Sequence, residues 1–133
     1  MGDRGNIVCR FVTGNPKSDV YFYTHWSGSG IPQTVQKALA KGWRHNDPAY
    51  LARIVFDTLT EGQQGEETGF GISIQACDNE HPLMVIDMER QQVYRVAASY
   101  ADSEVPQNLN ESDGGWTFDE FVSLDLTTLE EPE

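Results

Sequence analysis

Basic residues are scarce in this 133-residue sequence and missing from its end: from Asp102 to Glu133 there are ten acids and no Lys or Arg. Such an end repels phosphate and anionic lipid over about a Debye length, ~8 Å at physiological salt, which argues against direct nucleic-acid binding there. Cysteine is nearly as rare. Cys9 and Cys77 are the only two, and both sit in apolar, strand-like stretches where a free thiol behaves as a small hydrophobe. No apolar run approaches the ~18 residues of a membrane span, and Met1-Gly2-Asp3-Arg4-Gly5-Asn6 lacks the apolar stretch of a signal peptide. A cytoplasmic protein without a membrane role is the expectation.

What is present is sorted by position. Residues 1–56 hold seven Lys/Arg against three acids, whereas residues 57–133 hold only Arg90 and Arg95 against eighteen acids, and the chain carries −12. The length suits one domain with a real hydrophobic core. Ile7–Val12 and Asp19–His25 are rich in β-branched and aromatic residues around the turn Thr13-Gly14-Asn15-Pro16-Lys17-Ser18, which predicts an antiparallel hairpin. Apolar residues at helical spacing predict helices over about 31–41 and 47–61, the second capped by Asp47-Pro48. Val35, Leu39, Leu51, Ile54, Val55 and Leu59 are their buried faces. In a strand over 69–77, Phe70, Ile72, Ile74 and Ala76 alternate onto one buried face, and two more strands run over 83–88 and 92–97.

The fold class expected is α+β: an antiparallel sheet of about five strands, in the order ββααβββ, with two helices on one face and a short C-terminal helix. Residues 1–98 form the core domain. Residues 99–115 read as a polar loop, and 116–133 as an acidic segment that docks through Trp116, Phe118 and Phe121 and frays at its end.

Chemistry concentrates in a few places. Tyr21, Tyr23 and His25 share one strand face, with Arg10 beside them, a surface able to stack a planar ligand and hold a phosphate. Ser27, Gly28, Ser29 and Gly30 run straight into a helix N-terminus, where free N–H groups favour an anion, although neither the phosphate-loop nor the dinucleotide pattern is complete. Asp78, Glu80 and His81 lack the spacing of a zinc motif. No catalytic residue, metal or cofactor is assigned. Gly69, Gly71 and Ser73 would floor a shallow groove between the aromatics.

Met1-Gly2-Asp3-Arg4, Asn6-Ile7-Val8, Tyr23-Thr24-His25-Trp26-Ser27-Gly28, Asp47–Ile54 and Glu67–Ser73 together resemble a family of small uncharacterised proteins of bacteria and their phages. The likeness covers about residues 1–88. It implies an accessory or mobile-element gene and brings no activity with it.

The leading expectation is a non-enzymatic binding protein of phage or mobile-element type. Its acidic surface (Asp102, Glu104, Glu111, Asp113, Asp119 and Glu120) would engage a basic protein, for instance nucleic-acid-handling or defence machinery that it inhibits by competing for phosphate sites. The alternative is a small-ligand or nucleotide sponge built on Arg10, Tyr21, Tyr23, His25 and Ser27–Gly30, and a third is a small hydrolase with His25 as base. An exposed sheet face would also allow a homo-oligomer.

Overall fold

Gly5–Arg10 (β1) and Asp19–Thr24 (β2) pair antiparallel with Ile7 opposite Phe22, in a computed structural model that describes residues 2–109 and 115–129. Asn15 shapes the intervening turn by accepting from the Lys17 N–H. Two helices follow, Ile31–Ala40 (α1) with Pro32 in its first turn and Pro48–Leu59 (α2) with the Asp47 carboxylate accepting from the Tyr50 N–H. All six apolar residues expected on their inner faces are buried. Then come Phe70–Ser73 (β3), Leu83–Asp87 (β4), Gln92–Val96 (β5), Trp116–Thr117 (β6) and the short helix Phe118–Val122 (α3), which Thr117 and Glu120 close with a reciprocal capping box.

The α+β class holds, but the sheet is mixed and has six strands, in the order β3-β2-β1-β4-β5-β6. β1 runs parallel to β4, with Ile7 beside Met84, and every other pairing is antiparallel. The cause is burial. Every residue of β1 and of β4 is buried, so each needs a neighbour on both edges and cover on both faces. The chain from β3 back to β4 is tied across one end of the sheet by Asn6, which accepts from the Cys77 N–H (3.4 Å) and donates to Asn79 Oδ1 (3.2 Å).

Each face has its own core. Ile7, Cys9, Phe22, Met84, Ile86 and Val93 pack with α1, α2 and α3 on one side. On the other, Val8, Tyr21, Val85, Tyr94 and Val96 pack with Val105 and Leu109. The stretch 99–109, expected as a polar loop, is therefore a docked cover whose two buried apolar residues are too few to show as a pattern. The rest of that loop, and the expected frayed end at 130–133, lie outside the described residues.

β3 is shorter than the strand expected over 69–77, and its alternation misleads. Phe70 packs on the core, but Ile72 is 61% exposed and Ile74 83%, because β3 is an edge strand that projects past the cover the helices give. Cys9 is buried, Cys77 is exposed, and neither is in a disulfide. Among the described residues no helix is long and apolar enough to cross a membrane.

Candidate functional site

Arg10 closes β1 and is 1% exposed. Its register opposite Asp19 gives a two-pronged ion pair, Nε to Oδ1 at 2.8 Å and Nη2 to Oδ2 at 2.9 Å. The remaining N–H groups donate to the carbonyls of Val105 (3.4 Å), Pro106 (2.8 Å) and Gln107 (3.1 Å). A guanidinium has five N–H donors, and all are engaged. Arg10 is thus a clamp that holds the 98–109 cover to the sheet, and the phosphate contact expected of it has no donor left. Tyr21 lies beneath the same cover, 4% exposed, so the open aromatic face expected from Arg10, Tyr21, Tyr23 and His25 is closed over its first two members. Burial pushes the Asp19 carboxyl up, with Glu104 and Asp87 adding to it against the pull of Arg10, and burial likewise raises the Tyr21 hydroxyl.

The consequence of the clamp is a fixed acidic ledge. Asp102 and Glu104 stand exposed on the cover, and among the described residues neither has an ion-pair partner. Asp119 and Glu120 are exposed on α3, across the sheet from the ledge, and Glu120 also accepts from the Thr117 N–H at 2.8 Å. Glu111 and Asp113 fall outside the described residues. The six acids proposed from the sequence therefore include two pairs on opposite faces. Beside the clamp, Arg10, Thr13, Gly14, Asp87, Arg90, Gln107, Asn108 and Leu109 line a small cleft of about 40 Å³. That is far below the ~300–1,000 Å³ of ordinary ligand pockets.

At the other end of β1 the remaining candidates come together. Ser27–Gly30 leads into α1 as expected, but its N–H groups are already taken from within the chain, that of Ser29 by a carboxylate. Ser29 donates to Asp3 Oδ2 through its N–H (3.0 Å) and its hydroxyl (2.5 Å), Gly28 donates to the Asp3 carbonyl (2.7 Å), and Gly30 to the Ser27 carbonyl (3.0 Å). His81 Nε2 lies on Asp3 Oδ1 at 2.5 Å. The Ser29 hydrogen bonds, with a lesser pull from His81, hold the Asp3 carboxyl down at about 2. Asp3 thus takes the Ser29 donors that an external phosphate would need. Nor does the order Ser–Asp–His activate the serine, because a carboxylate with so low a pKa is a poor base and the histidine meets the acid instead of the hydroxyl.

Tyr23 and His25 are joined by a 3.0 Å hydrogen bond between the tyrosine hydroxyl and Nδ1, and Trp26 stands edge-on to the His25 ring. His25 donates its N–H to the Gly69 carbonyl (2.8 Å), and a side chain at Gly69 would come within 2.6 Å of Trp26 Nε1. Gly71 and Ser73 do face the same way as Tyr23 and Tyr21, opposite which they pair. Asp78 and Glu80 turn to Arg4, and among the described residues no group of three or more His, Cys, Asp or Glu is placed to hold a metal ion. Sequence reasoning missed Asp3. Its role depends on the Ser29 loop folding back over the chain start, which no local pattern announces. Compared with known proteins, the chain matches no family model, no curated protein and no solved structure.

Proposed function

We propose that this protein is a non-enzymatic binding protein whose acidic surface engages a basic protein partner, competing for Lys and Arg sites that would otherwise hold phosphate. The observation that carries this is the Arg10 clamp, which fixes Asp102 and Glu104 outward on a docked segment. Solubility needs only charge. A ledge held by a buried ion pair and three carbonyls presents charge at set positions, so less ordering entropy is lost on association.

The test is affinity capture with the wild-type chain and with a variant in which Asp102, Glu104, Glu111, Asp113, Asp119 and Glu120 are replaced by Asn or Gln, followed by reconstitution with the purified captured protein. A basic protein held by the wild type, lost on neutralisation and released as salt rises is the expected result. Capture unchanged by neutralisation would leave the proposal without support.

A further inference from the structure

The outer edge of β3 carries unpaired backbone and exposed apolar side chains together. The bond from the His25 N–H to the Gly69 carbonyl sets the phase of the β2–β3 ladder: Gly69, Gly71 and Ser73 turn their peptide groups inward to β2. Phe70 and Ile72, and Ile74 just beyond the strand, therefore turn theirs outward. Ile72 pairs with Phe22, so its side chain is on the helix face, and Ile74 follows on that face. These two are among the most exposed large apolar residues of the chain.

Natural edge strands are usually blunted by Lys, Pro or a bulge. Here none is present. From Asp57 to Glu89 the sequence contains eight acids and no Lys or Arg; Glu66 and Glu67, just before the strand, are exposed, whereas Asp78 and Glu80 beyond it are engaged with Arg4. The edge thus offers main-chain hydrogen bonds and an apolar row with negative charge at its leading end. A second copy of this chain would bring the same carboxylates against it. We propose that β3 receives an extended segment of the basic partner as an added strand, apolar residues lying on Ile72 and Ile74 and flanking Lys or Arg meeting the carboxylates; this rests on the basic-partner reading above.

The test uses a nine-residue peptide of alternating valine and lysine, and a twin N-methylated at its central residues so that it cannot pair. Amide exchange and NMR shifts of the full chain are followed at low salt. The expected result is binding that slows exchange of the Ile72 amide by about tenfold or more and is lost with the methylated twin. Ile72→Pro, which removes an outward N–H together with an apolar contact but no bond to β2, and Ile74→Lys should each weaken it about fivefold to tenfold. Binding that shifts Asp102 and Glu104 while exchange at Ile72 is unchanged overturns the added strand and leaves the basic-partner reading in place. Slowing that depends on protein concentration without peptide assigns the edge to a second copy and overturns it too. No binding of either peptide overturns the added strand, and the reading beneath it also falls if the six-acid variant captures the same proteins as the wild type.

Discussion

The Arg10 guanidinium and the Asp19 carboxylate meet face to face at the closed end of the β1–β2 hairpin, each side chain 1% exposed. The pair lies under a segment 95 to 97 residues further along the chain, whose carbonyls complete the arginine's hydrogen bonding. Taking two charges out of water is costly, so the pair contributes through the order it imposes more than through net attraction.

Removing one partner should therefore hurt more than removing both. Arg10→Met leaves Asp19 buried and unpaired, and should cost about 3–5 kcal/mol. The double variant Arg10→Met with Asp19→Leu should be closer to wild type. Urea unfolding of the full cycle measures this, and a double variant no better than the worse single one would contradict it.

The clamp also predicts protease resistance. Cleavage between Asp102 and Gln107 should be slow in the wild type and fast in Arg10→Met, under conditions where the rest of the chain stays folded. Rapid wild-type nicking there would show that the cover is not held.

Asp3 sets an acid limit. Its carboxyl is depressed from 3.8 to about 2, so the stability it contributes is present in full above about pH 4 and is lost as pH falls toward 2. Asp3→Asn should remove that part of the acid slope, lowering stability most at neutral pH and least near pH 2. Carboxyl titration by NMR locates the midpoint, and an Asp3 that titrates near 4 would refute the assignment.

Gly69 has φ +105° and its absent side chain leaves room for Trp26. Gly69→Ala should cost about 1–3 kcal/mol through strain and contact together, and should change the Trp26 fluorescence. An unchanged melt and spectrum would mean that the ring moves aside freely.

The six acids and the Tyr23–His25 pair should separate cleanly in an association assay. Neutralising the acids should slow the on-rate, with the loss shrinking at high salt, while Tyr23→Phe and His25→Gln leave partner binding intact. The reverse pattern would favour a ligand site at the Tyr23 end.

Much of the fold was legible because helical and turn signals are local. Asp47-Pro48 and the Leu51, Ile54, Val55, Leu59 stripe define α2 without reference to anything distant. The mixed sheet was not, since nothing local tells Leu83–Asp87 which edge to join. The one available signal was its unbroken apolar run, the mark of a central strand covered on both faces. Ile72 and Ile74 misled for a related reason: period two identifies a strand face but does not say whether anything covers it. At the candidate sites, Tyr23, His25 and Ser27–Gly30 were found as a group, whereas Arg10 was misplaced because its partners at Val105, Pro106 and Gln107 are remote.

The parallel pairing of Ile7 with Met84 also governs the order in which the chain can mature. A nascent chain that has emerged only through α2 holds the hairpin and both helices. Its first strand still lacks one edge and the whole of its second cover, so Val8 and Tyr21 face water while synthesis continues. Closure waits for β4, and the Arg10 clamp waits longer, until residues 105–107 are free of the ribosome. Non-local pairing of this kind slows folding, and it leaves the N-terminal strand to be completed by residues beyond 80.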